Sequence, residues 1–138
     1  QLSEQIWFLG EIARLNDFES KETAFKFEDG SEDFTKDDSG LAIVGDEGLV
    51  VVSGCAHAGI CNTVDHAIKV TGEQKIQAVI GGFHLKEYDG LTQQTINHLK
   101  KLNVQQVVPS HCTLLPALAA FYEEWQFVQL KTGNTLKF

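Results

Sequence analysis

The chain has 138 residues, 43% of them hydrophobic, and a net charge of −8, which suits one domain with a single core. The apolar share argues against disorder, and the negative charge argues against a nucleic-acid backbone or an anionic membrane as partner. A small phosphorylated ligand stays open, because a local metal or helix N-terminus can hold an anion on an acidic protein.

Residues 5–9, Gln-Ile-Trp-Phe-Leu, read as a first strand closed by Gly10. Residues 16–40 are acidic and broken by Gly30 and Gly40, so they read as a long solvated surface loop, with a short strand at 24–27. Leu41–Val44 and Leu49–Val52 flank Gly45-Asp46-Glu47-Gly48, the pattern of a hairpin. The second arm is apolar throughout, which suits a strand buried on both faces. Val64, Ala67 and Ile68 recur at helical spacing between Asn62 and Val70, and Gly72 ends that helix. A strand follows at 76–81, then a helix from Thr92 to Leu102 with Ile96, Leu99 and Leu102 on one face, then a strand at 104–108. Leu115 to Trp125 reads as a third helix, opened by Pro116, where a missing N–H costs nothing. Phe127–Leu130 and Thr135–Phe138 read as a closing hairpin around Thr132-Gly133-Asn134.

Three of these strands end in a histidine: His57 in Ser53-Gly54-Cys55-Ala56-His57-Ala58-Gly59, His84 in Gly81-Gly82-Phe83-His84-Leu85, and His111 in Pro109-Ser110-His111-Cys112-Thr113. The order is β-α-β-α-β. Ligands of parallel α/β sheets bind at the carboxyl edge of the strands, so the spacing predicts three imidazoles converging there, as at a metal site. The alternative for His57 and His111 is a structural histidine bonded to its turn. For His84 it is a contact to substrate or to another ligand's outer partner. His66 and His98 fall inside helices without a ligand partner at i+4 and receive no role.

Three cysteines is an odd number at no framework spacing, so they read as reduced thiols in a cytoplasmic protein. Cys55, Cys61 and Cys112 with the neighbouring histidines form a rival zinc set, although a tight Cys-x-x-Cys knuckle is absent. A cysteine nucleophile is a further alternative. Cys112 adjoins His111 in an extended segment, which points the two side chains apart, and Cys55 or Cys61 needs a base from elsewhere. The plainest reading is small packing residues. The chain starts at Gln1 and contains no methionine, so it is expected to be a piece of a longer protein.

The three motifs, Gly54-Cys55-Ala56-His57-Ala58-Gly59-Ile60-Cys61-Asn62, Gly81-Gly82-Phe83-His84-Leu85 and Pro109-Ser110-His111-Cys112-Thr113, resemble the later motifs of a metallo-β-lactamase-fold family. Its members include the archaeal dihydropterin–ribofuranosylaminobenzene phosphate synthase. Gly10-Glu11-Ile12-Ala13-Arg14 resembles a Gly-Glu-Ile-Pro-Arg segment of that family with Ala13 for proline, and Asp37-Asp38 also fits. Leu114 departs from the family's usual glycine after His-Cys-Thr.

The resemblance implies half of an αββα sandwich: a mixed sheet with helices packed on one face. It also implies a divalent metal, zinc before manganese or iron. His57 would complete a first metal's imidazoles, His111 would bind a second metal, and His84 would stand where many relatives place a bridging carboxylate. The family's His-x-His-x-Asp-His motif, expected in an amino-terminal half, does not occur here. The chain is therefore expected to be the carboxy-terminal half of a metal-dependent hydrolase or transferase, inactive alone. Its expected partners are the missing half or a homo-oligomer, and a small-molecule substrate, phosphorylated or not. The competing expectation is a non-catalytic module that binds a small anion or a protein and self-associates through an exposed sheet or helix face.

Overall fold

A computed structural model describes residues 1–138. Five strands form one mixed sheet in sequence order: β1 (Ile6–Phe8), β2 (Gly40–Gly45), β3 (Gly48–Ser53), β4 (Ile76–Gly81) and β5 (Gln106–Pro109). β1, β2 and β3 pair antiparallel, and β3, β4 and β5 pair parallel. The two parallel steps are bridged by helices α1 (Ile60–Thr71) and α2 (Gly90–Lys101), and α3 (Leu115–Trp125) follows the last strand. The mixed sheet with its helices is the architecture expected from the motifs.

Strand alternation divides the sheet into two faces. Ala42, Leu49, Val51, Val79 and Val107 face the helices and join Val64, Ala67, Ile96, Leu99, Ala117 and Phe121 in the main core. Val50, Ala78, Ile80 and Val108 point to the opposite face and form a small second cluster. Both faces of β3 and β4 are thus apolar, which explains their unbroken runs of branched residues.

The helices begin and end where local chemistry allows. Asp89 caps α2 by accepting from the Thr92 amide at 2.9 Å. Gly72 ends α1 in a left-handed conformation, its N–H donated to the Ile68 carbonyl. The start of α1 has no local cap; its cap comes from Glu19, in the acidic loop. The Glu19 carboxylate accepts from the amides of Cys61 at 2.9 Å and Asn62 at 2.8 Å, and from the Asn16 side chain at 2.7 Å. Asn62 in turn accepts from the amides of Leu15 and Asn16. Gly59 has φ +99°, and a Cβ there would lie 2.3 Å from the Glu19 carboxyl carbon, so no larger residue leaves room for this cap.

Three expectations are corrected. The acidic segment is not uniformly solvated: Glu19 is 4% exposed, because the orphan amides of a helix N-terminus bind a carboxylate well enough to bury it. Burial nevertheless outweighs those bonds and holds its carboxyl above the ordinary glutamate range. No strand forms at 24–27, only an isolated bridge between Lys26 and Glu32. The closing hairpin is also absent. A turn forms, with the Asn134 amide donating to the Lys131 carbonyl at 3.0 Å, but its arms do not pair. An isolated two-stranded ribbon is marginal. Phe127 and Leu130 instead pack on the second face of the sheet, so that face is partly covered rather than bare.

His98 of α2 meets Asp65 of α1 at 3.0 Å, and His66 contacts the Leu9 carbonyl at 3.2 Å. Both have structural environments, as their positions inside helices suggest.

Two predictions follow from these contacts. Glu19→Ala leaves two buried helix amides without an acceptor and is expected to cost about 2–3 kcal/mol, read as a lower urea midpoint. The hydrogen bond to Asp65 raises the pKa of His98 against an opposing burial effect. The folded chain therefore holds this proton more tightly than the unfolded chain. The added stability is complete below the ordinary histidine value of about 6.5 and is lost as pH rises through the higher folded value. His98→Gln should flatten that slope in a urea titration run across pH.

Candidate metal centre

The parallel register sets Ser53, Gly81 and Pro109 side by side at the ends of β3, β4 and β5. The three histidine loops therefore leave the sheet at one level. Backbone bonds stitch them together: the Gly82 amide donates to the Gly54 carbonyl at 2.9 Å, Ser110 to Gly81 at 2.8 Å, and Leu114 to Leu85 at 2.9 Å. The Thr113 hydroxyl accepts from the Phe83 amide at 3.1 Å.

Each loop contains one non-glycine residue in the left-handed region: Ala56 at φ 55°, His84 at φ 51° and Cys112 at φ 55°. Each costs about 1 kcal/mol or more, and such residues concentrate where side chains are aimed for a purpose. At Cys112 the bend cancels the extended alternation expected from sequence. His111 and Cys112 consequently turn to the same side, towards Cys55.

The edge has two parts. In the first, the rings of His57 and His84 meet edge to face with centroids 4.7 Å apart. Asp38 lies beneath them. Its carboxylate accepts from the His57 amide at 2.6 Å and the Cys55 amide at 3.3 Å, and Oδ2 lies 3.7 Å from His57 Nδ1. That nitrogen is buried and has no hydrogen-bond partner. The pKa of His84 is lowered, first by burial and then by its His57 neighbour, so its imidazole stays neutral and able to donate a lone pair. A cleft of about 160 Å³ opens here, lined by His57, His84, Glu22 and Ser20, with Phe83 and Leu91 as its apolar wall.

In the second part, His111 Nε2 lies 3.4 Å from Cys55 Sγ, and Cys112 Sγ lies 3.6 Å from the Cys55 carbonyl oxygen. Burial beside Cys55 pushes the Cys112 thiol up to about 11. The Ser110 hydroxyl sits 3.3 Å from His111 Nδ1, on the far side of that ring. Gly82 forms the floor: a Cβ there would lie 2.6 Å from Cys112 Sγ and 2.9 Å from His111 Nε2.

The structure thus pairs His57 with His84 and sets His111 with Cys55 and Cys112, whose ligand atoms all lie within 4.8 Å of one another. Cys61 is separate. It is buried in α1 with its thiol on the Thr95 carbonyl, so the four-ligand zinc set that included it does not assemble. Asp38 has no signal in the sequence beyond its place in the segment that resembles the family. The approach of Cys55 to His111 spans 56 residues, although the sequence pattern groups the two with Cys61 and Cys112 as a rival zinc set. The neutral imidazole of His84, the adjacent Asp38 carboxylate and the buried, unpartnered Nδ1 of His57 are donors that a divalent cation accepts.

No protein-family model matches the chain. Over 143 aligned residues it is 43% identical to the 7,8-dihydropterin-6-methyl-4-(β-D-ribofuranosyl)-aminobenzene-5′-phosphate synthase of Methanocaldococcus jannaschii, covering 96% of this chain and 48% of the synthase. It is 30% identical over 88 residues to an uncharacterized protein of the same organism, covering 63% of this chain and 33% of that protein. A solved structure of a metal-dependent hydrolase of the β-lactamase superfamily superposes with a TM-score of 0.84 and 29% identity, covering all of this chain and 55% of that one. Fold, motifs and these relationships agree: the chain has the metallo-β-lactamase fold and is related to proteins of that superfamily. In particular, the sequence is related to the archaeal synthase, and the chain spans about half that relative's length. No helix is long and apolar enough to cross a membrane.

Asp38 ties the β3 loop to the acidic segment through two amides. Asp38→Ala should release the amides of Cys55 and His57 to faster hydrogen exchange while the amides inside β3 stay protected. Unchanged protection at those two amides would contradict this geometry.

Proposed function

We propose that this chain supplies the carboxy-terminal part of the active site of a metal-dependent hydrolase or transferase. The pairing of His57 with His84 above Asp38, at the level where three parallel strands end, carries the reading. His57 and His84 would hold one divalent ion, zinc before manganese or iron, and His111 would take part in holding a second. A bound metal of this kind supplies a water of lowered pKa and a Lewis acid for the substrate oxygen. Asp38 fixes the loop that carries His57, the burial of His84 keeps its ring unprotonated, and Phe83 and Leu91 form the apolar side of the cleft.

The coverage of about half of each well-matched relative supports a role as one part of a larger site, which would be weak or inactive on its own. The related synthase is named for a product bearing a 5′-phosphate, and the solved relative is a hydrolase. A small phosphorylated molecule is accordingly the proposed substrate class.

A second reading, self-association through an apolar face, draws on one observation. Leu115 and Tyr122 of α3 are exposed beside a groove of about 420 Å³ that Leu118 and Phe127 also line. Association through such a patch would appear as a concentration-dependent mass in sedimentation, abolished by Leu115→Glu.

Elemental analysis of the purified protein tests the main reading. Bound divalent metal is expected in the wild type, and a His57→Ala, His84→Ala double variant should hold about one ion fewer per chain. Whatever weak phosphodiesterase or lactonase activity the chain has should be lost with that ion. Protein that binds no metal even when divalent ions are added would overturn the proposal.

A further inference from the structure

Cys55, His111 and Cys112 come from two loops, and nothing in the packing of the core requires them to meet. Cys55 Sγ and His111 Nε2 are 3.4 Å apart, and the three donor atoms share a space within 4.8 Å. Around a tetrahedral zinc-like ion with ordinary bond lengths, a sulfur and a nitrogen lie about 3.5 Å apart and two sulfurs about 3.8 Å. The Cys55–His111 separation is therefore that of donors around one ion, and Cys112 Sγ lies within 4.8 Å of both.

Three further features favour such a site. The left-handed backbone at Cys112 is what turns its sulfur to the same side as His111. Gly82 keeps the floor free of any Cβ, which would otherwise press on both Cys112 Sγ and His111 Nε2. The Ser110 hydroxyl engages His111 Nδ1, which leaves Nε2 facing the sulfurs, the arrangement by which outer partners orient metal-bound imidazoles. His111 is exposed and the cysteines are half-buried, so an ion has a path in and a fourth coordination position remains open.

We propose that Cys55, Cys112 and His111 form a soft-cation site of two thiolates and one imidazole that takes a zinc-like divalent ion. Binding displaces the two thiol protons: one M²⁺ and two Cys–SH give one dithiolate complex and two H⁺ released to solvent. The two sulfurs select against hard ions such as magnesium and manganese. This deepens the reading of His111 as a metal ligand by naming the donors that complete its set. It needs neither His57 nor His84.

The test is a cadmium titration of the full chain, reduced and stripped of metal, read by the thiolate-to-cadmium charge-transfer band in the ultraviolet and by cadmium NMR of the wild type. The band is expected to saturate at one ion per chain, with a cadmium shift typical of two sulfur ligands. Cys55→Ser and Cys112→Ser should each lose about half of the band, while Cys61→Ala and the His57→Ala, His84→Ala double variant should retain it. Ser110→Ala should keep the band at saturation but weaken cadmium binding by about tenfold. Circular dichroism checks that each variant is folded, and the wild-type NMR shift stands whatever the variants do. Absence of the band in reduced wild type, a shift without two sulfurs, or a band that depends on Cys61 would each overturn the proposal. Loss of one ion from the His57→Ala, His84→Ala variant with the band intact would leave both readings standing. The band's absence alongside normal metal content would remove this one alone.

Discussion

The parallel pairing of β3, β4 and β5 governs everything that happens at the candidate centre. Parallel hydrogen bonding needs a crossover between successive strands, and α1 and α2 supply it. In return the strands run in one direction and end together at Ser53, Gly81 and Pro109. Three short loops then emerge side by side, close enough for their backbones to bond to one another. A slip of one residue in either pairing would send Val51 or Val79 to the wrong face and separate the histidines at the same time. Core packing and site geometry are thus held by the same register.

The acidic segment between β1 and β2 is the second structural support. Most of its carboxylates are solvated, but Glu19 and Asp38 turn inwards and bind backbone amides of the β3–α1 connection from two sides. One caps the helix and the other fixes the loop that carries Cys55 and His57. The charge of this segment therefore has two different functions: solubility along most of its length, and anchoring at two points. The left-handed residue Ala56 lies between the two amides that Asp38 holds, a strained position that such anchoring can sustain.

The edge that results is chemically divided. His57 and His84, with Asp38, present nitrogen and oxygen donors beside an apolar wall. Cys55, Cys112 and His111 present sulfur and nitrogen on the far side of Gly82. Donors of different softness in adjacent places would sort ions by type, and the superfamily relationship gives such sorting a chemical setting. The strand-end histidines are the part of this arrangement shared with the motifs, and the paired sulfurs are what the tertiary structure adds.

The sequence by itself determined the elements whose signals are local. Branched runs marked β2 to β5, i+3 and i+4 spacing marked the first two helices, Pro116 marked the start of α3, and the recurrence of His57, His84 and His111 after strands marked the edge where their loops meet. These signals act between neighbours in the chain, so they can be read without the fold. The tertiary structure alone decided the rest. Glu19 caps a helix 42 residues away, Asp38 lies under His57, and Cys55 meets His111 across 56 residues. The tail from Phe127 onwards shows the reverse case: its local pattern favoured a hairpin, but the apolar surface of the sheet offered Phe127 and Leu130 more burial than their own pairing could. Contacts between distant residues form only after the sheet has set its register, and no local pattern of residue types encodes which side chains that register brings together.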